Sequence, residues 1–383
     1  MRNLSMLAMP VLLLTACAMR SVPAATPLPT SPPLDTPIPT PQATKAAVQL
    51  SSIELAGEPA PVTQAALSPD GRLIATTAGD WISTDPTVRL WRTDGSLVKV
   101  LRGHTAPVLG MAWSPDGQLL ATGSLDGTVR LWQPDGTLVD TLRGSEPLVA
   151  VAWSPDGRSL ASASTPLRNP VVWLWRRDGT LVTKMSTQYT GGKFYNLDWS
   201  PDGKLLLGGA IDYKLWRADG TEVFHLEACP QCTPAWGAAW SPDSKRWAIG
   251  NESGQVDVYD IEGHALAHLQ NQHGNADALA WSPDGDILAG GDGVNLWRND
   301  GSLLASHASF GRVDGLAWSP GGELLASRST SNGLRVWSAD GRLLAAFPGS
   351  VIMIAWSPDG ELLAASTDQT IHLWRLKPSV QVH

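Results

Sequence analysis

Three cysteines, eight histidines and many aspartates are the residues with chemistry to offer. Cys229-Pro230-Gln231-Cys232 is the one paired motif. Two thiols at this spacing can cycle between dithiol and disulfide, or supply half a zinc site. A second Cys pair for zinc is missing, and no thioredoxin-like strand–helix–strand pattern surrounds the motif. Outside the cytoplasm a local disulfide is the plain reading. So short a loop constrains the unfolded chain little, so the bond would serve to shape its connection. The histidines are scattered. His225 and His268 fall on expected fourth strands, His372 on a third, and His104, His273 and His307 near connections between repeats. None has metal-ligand spacing to another His, Cys or Asp. The aspartates sit mostly at repeated turn positions, whereas an acid–base pair would be unique. There is no Gly-rich phosphate loop opening a helix and no nucleophile elbow. These residues argue against an enzyme, a cofactor and a metal.

The elements that carry these residues repeat. Met111-Ala112-Trp113-Ser114-Pro115-Asp116-Gly117 runs on as Gln118 to Ser124, then Thr128-Val129-Arg130-Leu131-Trp132. The turn tetrad recurs from Ser68, Ser114, Ser154, Ser200, Ser241, Ser282, Ser319 and Ser357, with Ser244 for Gly and Gly321 for Asp as the only changes. The period of about 40 residues signals a propeller or solenoid. Pro presets φ for the turn and Gly supplies φ > 0. A second Asp-Gly turn follows the third strand at Asp94, Asp135, Asp178, Asp219, Asp300 and Asp340. Each repeat therefore reads as four antiparallel strands, A to D. One such sheet cannot bury both apolar faces, but eight stacked radially can. Most of the 18 Trp fall at two repeating positions, one on strand A and one on strand C, as inter-blade packing requires. Trp173 and Trp247 are off register but read as core. The small residues before the strand-A Trp, such as Ala112, Ala152 and Ala239, suit crowded inner strands. The expected fold is all-β, an eight-bladed β-propeller of four-stranded antiparallel blades.

The chain starts differently. Arg2 precedes the short apolar run Leu4 to Leu14. That run is too short to span a bilayer and suits the core of a signal peptide. It ends in Leu14-Thr15-Ala16-Cys17, which resembles the bacterial lipobox. The resemblance implies a signal peptide over 1–16 and a lipid on Cys17, hence a membrane anchor and a cell-envelope location outside the cytoplasm. The Thr/Pro-rich stretch after it, within a 17–47 linker, cannot form helix or sheet. It should extend at about 3.1 Å per residue, as a stalk. The net charge of −8 is mixed and no basic stripe appears, which excludes nucleic acid as a partner.

From residue 48 on, the chain resembles the WD40-repeat propellers. Ala-Trp-Ser-Pro-Asp-Gly, Leu-Ala-Thr-Gly-Ser and Thr-Val-Arg-Leu-Trp carry the resemblance. It implies a structural tetrad in the second repeat: His104, Ser124, Asp126 and Trp132. The family's terminal Trp-Asp dipeptide is absent, and no other repeat has a convincing His–Asp pair. Hydrophobic packing is expected to hold the other blades. The eighth repeat lacks strand D. Val48 to Leu55 lies where that strand would lie and would remove the open edge. Val380 to His383 is the alternative.

The A–B and C–D turns are constant among the eight copies and lie on one face. The B–C and D–A connections vary and lie on the other. Trp81 sits in a long B–C connection, and Tyr189, Phe194 and Tyr195 in a D–A connection. Four residues before the strand-A Trp the ring reads Thr63, Leu109, Val149, Tyr195, Trp236, Asp277, Asp314, Ile352. One arc is apolar and aromatic, the next acidic. The WD40 resemblance implies that this position lines the interaction face. The expectation is a monomeric, non-enzymatic scaffold that binds a protein or peptide through Trp81, Leu109, Tyr189, Phe194, Tyr195, Trp236, Asp277 and Asp314. The alternative is an extracytoplasmic propeller enzyme, or a binder of a quinone or sugar.

Overall fold

The structure is a computed structural model that describes residues 50–53, 62–78, 85–164, 170–186, 196–209, 213–226, 235–271, 274–307, 312–366 and 370–375. Every regular element among them is a strand, and the strands form eight four-stranded antiparallel sheets. Blade 2 is typical, with strand A at Val108–Trp113, B at Leu120–Ser124, C at Thr128–Trp132 and D at Leu138–Arg143.

The A–B turn works through its serine. Ser114 Oγ donates to Asp116 at 2.6 Å and accepts the Leu119 N–H at 2.9 Å, while Gly117 turns the chain at φ 68°. In the fifth copy Ser244 takes the left-handed position at φ 61°, the one non-glycine with positive φ among the described residues. A β-carbon makes that conformation costly. Its hydroxyl offsets part of the cost by accepting the Asp202 N–H of the neighbouring blade's turn at 2.9 Å. Where Gly321 replaces Asp, Ser319 Oγ has no carboxylate to donate to and still accepts the Leu324 N–H, at 3.1 Å.

Each strand A touches the strand A of both neighbouring blades, around the complete circle. The A strands therefore form the inner wall and the D strands the rim. The cores lie between blades, where strand-A and strand-C tryptophans pack with Leu, Val and Ala. Trp173 and Trp247 are fully buried, as core. The strand-A indole also bonds across the seam. Trp113 donates to the Ala66 carbonyl at 3.1 Å, and Trp199, Trp240, Trp318 and Trp356 repeat the contact with Ala152, Asp198, Ala280 and Ala317. A bond of this kind is worth about 1 kcal/mol net. The indoles of Trp153 and Trp281 find no acceptor among the described residues. Those two rings lie under Arg177 and Arg246, with guanidinium-to-ring distances of 5.9 and 4.7 Å.

Closure uses the chain start. Leu50–Ile53 pairs antiparallel with Ile371–Arg375, with Leu50 opposite Trp374 and Ile53 opposite Ile371. It supplies strand D of blade 8.

Candidate functional site

The inner wall ends, on the face of the variable connections, in a column of equivalent positions, of which those in blades 1, 2, 3, 5, 6, 7 and 8 are described. In blades 1, 2, 3 and 5 this position is a β-bulge. The register slips between Val62 and Gln64, Val108 and Gly110, Leu148 and Ala150, and Ala235 and Gly237. Thr63, Leu109, Val149 and Trp236 are the residues left over. In blades 6, 7 and 8 strand A starts later, so Asp277, Asp314 and Ile352 precede it. A bulge bends its strand and raises the local twist, and these four lie at the channel mouth in blades 1, 2, 3 and 5. Trp236 thus lies within strand A of blade 5 (Ala235–Trp240).

Leu109 is a correction. It is buried, and its carbonyl accepts the Gln64 side-chain amide from blade 1. The bulge turns this side chain into packing, so it offers a partner little surface. Trp81, Tyr189, Phe194, Tyr195, Cys17, Cys229 and Cys232 lie outside the described residues.

The acidic arc is not a bare pair of carboxylates. Arg312 bridges it, with Nη2 3.2 Å from Asp277 and Nε 3.1 Å from Asp314. Asp314 also accepts the Thr330 N–H at 2.8 Å and its hydroxyl at 2.9 Å. Burial raises the Asp277 carboxyl above its ordinary value; the Asn275 amide and Arg312 oppose this, while Asp292 and Glu252 add to it. The Asp277 and Asp314 side chains are buried or nearly so, and Arg312 is the half-exposed member of the trio. Sequence reasoning missed Arg312, although it stands only two residues before Asp314 on the same connection.

Blade 2 holds the tetrad, with one correction. His104 Nδ1 donates to Asp126 at 2.9 Å. Its Nε2 lies 2.8 Å from Thr122 Oγ1, which accepts the Trp132 indole N–H at 2.9 Å. The hydroxyl member is Thr122, not Ser124. Ser124 Oγ instead donates to the Ala106 carbonyl at 2.8 Å and accepts the Asp126 N–H at 3.1 Å. Burial by itself raises the Asp126 carboxyl, but hydrogen bonds from His104, Thr128 and Thr105 outweigh it and hold the group well below the usual carboxylate range. Hydrophobic packing is not the only support elsewhere. Trp91, Trp175 and Trp337 donate to Thr76, Ser162 and Ser327. Blade 6 builds its own polar core from Asn271, Asn295 and Ser306.

Two features lie away from the channel mouth. A cleft of about 1110 Å³ opens between blades 2 and 3 on the constant face, lined by Arg158, Arg176, Arg177, Asp135 and Asp178. Arg177 is held there by Asp116 at 2.8 Å. In the C–D turn of blade 5, Asp260, Glu262 and His264 bring their ligand atoms within 4.8 Å of one another, which sequence spacing did not reveal. Asp260 is engaged by the turn itself, accepting the His264 N–H at 2.8 Å and the Glu262 N–H at 3.0 Å.

The family model described as the IFT122 first beta-propeller matches residues 61–308, and that of the WD domain, G-beta repeat, matches 297–338 and 341–375. The chain belongs to the WD40 β-propeller family. WD40 propellers are generally non-enzymatic scaffolds for protein or peptide partners. No curated protein sequence matches this WD40 chain. Among solved structures it is similar to Sqt1 from Chaetomium thermophilum, with TM-score 0.74 and 20% identity over 86% of this chain and 100% of that one. Sqt1 bound to the N-terminus of the ribosomal protein L10 is similar at TM-score 0.72 and 21% identity, over 85% and 98% of the two chains. The computationally designed Ika8 protein matches at TM-score 0.70 and 21% identity, over 85% and 99%.

Proposed function

We propose that this WD40 propeller is a membrane-tethered scaffold outside the cytoplasm, which binds a protein or peptide at the mouth of its channel on the variable face. The observation that carries the reading is the contrast between the two faces. The turns of the constant face repeat almost letter for letter, while the eight mouth positions range from Ile352 and Val149 through Trp236 to Asp277 and Asp314. A frame built eight times over with a differing rim suits selective recognition. The tether rests on Leu14-Thr15-Ala16-Cys17 and the proline-rich stretch after it. The Sqt1 complex supports the reading by likeness of fold: a similar ring takes a peptide terminus as its ligand.

Expression of the chain and of Cys17→Ser, with mass analysis and membrane fractionation, tests the tether. The expected result is acyl mass and membrane association for the first and neither for the second. Acyl chains persisting on Cys17→Ser would refute it. Cys17→Ser protein used as bait on detergent-solubilised membranes tests the scaffold. A stoichiometric partner is expected, and consistent failure to retain one counts against this function.

A further inference from the structure

One register position on the inner wall breaks its pattern. The residue before the strand-A aromatic is alanine in seven blades, counting Ala66 before Leu67 in blade 1. In blade 4 it is Asp198. The alanines are buried or half-buried, whereas Asp198 is exposed although it lies in mid-sheet on an innermost strand, Asn196–Trp199. Solvent reaches such a position only through the central channel. Asp198 pairs with Leu207 on strand B, and its backbone carbonyl accepts the Trp240 indole at 3.3 Å, so the residue borders blade 5.

Nothing described nearby neutralises this carboxylate. The strands packed around it, Leu148–Trp153, Leu205–Gly209 and Ala235–Trp240, carry no titratable residue. Among the described residues, the one hydrogen bond it accepts comes from the Trp199 backbone N–H. Protein atoms crowd it on all sides although its oxygens keep contact with channel water, and this desolvation pushes it up to about 6, an upper bound for a group that water still reaches. A folded value above the ordinary carboxylate value means that ionising this group weakens the fold. The contribution of this one group is most favourable below about pH 4, the unfolded value, and is lost as pH rises through the folded value. The fold itself gains nothing from the acid, since seven blades are built with alanine at the same place.

We propose that Asp198 is the binding seat for one organic cation, the guanidinium or ammonium of a peptide partner inserted into the channel from the variable face. This rests on the scaffold reading above and adds the chemistry of the partner. A lone carboxylate offers too few oxygens for a calcium ion, which takes six to eight. A guanidinium or ammonium needs only one such partner and forms a charge-assisted hydrogen bond with it. Low-dielectric walls strengthen that contact relative to bulk water. The half-exposed Arg312 at the mouth leaves the rim without a bare acidic patch, so the charge that selects a cation lies deeper, on blade 4.

The test uses the full chain and Asp198→Ala with fluorescein-labelled peptides of sequence Gly-Ala-X-Ala-Gly, where X is arginine, lysine or citrulline. Asp198→Ala installs the residue of the other seven blades, so it should fold, and its melting temperature should rise above that of the unaltered chain at neutral pH. By fluorescence polarisation the unaltered chain should bind the arginine or lysine peptide about tenfold tighter than the citrulline peptide, the worth of one charged hydrogen bond. That preference should fade on acidification through about pH 6 and be missing in Asp198→Ala. Equal binding of arginine and citrulline peptides by the unaltered chain would overturn the seat. So would a preference that survives in Asp198→Ala and disappears in Asp277→Asn, which would move the site to the rim. The membrane pull-down separates the two readings. A partner captured equally by Asp198→Ala leaves the scaffold standing and removes the seat, while charge-selective peptide binding without any captured partner does the reverse.

Discussion

Thr122 and Ser124 stand two residues apart on strand B of blade 2, so their side chains share a face of the sheet. That is why the motif alone could not choose between them. Cross-strand register decides. Thr122 lies opposite Arg130, two residues before Trp132, and there its hydroxyl comes within reach of both the indole and the His104 ring. Thr122→Val keeps the shape and removes the oxygen, leaving two buried polar groups without their partner. The expected cost is about 2–6 kcal/mol, at roughly 1–3 kcal/mol per stranded group. Ser124→Ala removes one carbonyl contact and one turn contact of a buried hydroxyl, whose half-buried partners Ala106 and Asp126 can turn to water, and should cost about 1 kcal/mol. Urea denaturation midpoints compare the two, and an equal or larger loss for Ser124→Ala would refute this assignment.

At the scale of elements, the closing strand is the least secured. Leu50–Ile53 is the only described strand D that no tight turn joins to its own strand C. Replacing residues 50–53 with Gly-Ser-Gly-Ser keeps the chain length and removes the β-formers. Strand C of blade 8, which holds the buried Leu373 and Trp374, would then become a free edge. Unpaired edges template association. The expected outcome is a lower melting temperature together with concentration-dependent oligomers in sizing chromatography; an unchanged melting curve and a monomer would show that the latch is dispensable. The elements were legible because their determinants are local. Ser-Pro-Asp-Gly encodes its own turn through Ser114 Oγ, and a strand-A Trp marks the seam it fills. The rim was less legible. A β-bulge leaves no mark in composition, so the burial of Leu109 could not be read. The Arg312 bridge depends on two blades meeting, which no single repeat encodes. Asp198 was visible as the one acid in an alanine column, but only the closed ring shows that the alanines pack at the seams while the acid stays exposed on an innermost strand.

The ring as a whole is a chain of eight seams that differ in strength. Five carry an indole-to-carbonyl bond, from Trp113, Trp199, Trp240, Trp318 and Trp356. The seams at Trp153 and Trp281 place a guanidinium over the ring instead. Such contacts add about 0.5–2 kcal/mol each. The seam between blades 8 and 1 has neither, because Leu67 stands where the indole would be and packs with Ile74, Trp91, Ala364 and Leu373. The same seam borders the blade whose outer strand comes from the chain start. Opening it needs only Leu50–Ile53, which the chain joins to blade 1, to part from Ile371–Arg375, whereas in every other blade a C–D turn ties strand D to its own sheet. Local opening should therefore begin there, since sub-global unfolding follows the least stabilised contacts. Native-state hydrogen exchange reads this strand by strand. Amides of Ile371–Arg375 in blade 8 should exchange about tenfold faster than those of Tyr213–Arg217, the same strand in blade 4, because about 1.4 kcal/mol separates a tied seam from an untied one. Leu67→Trp, with the Ala355 carbonyl as its intended acceptor, should narrow the difference if the indole fits as it does at the other seams. Uniform protection around the ring in the unaltered protein would mean that the inter-blade cores, not the seam bonds, set the order of opening.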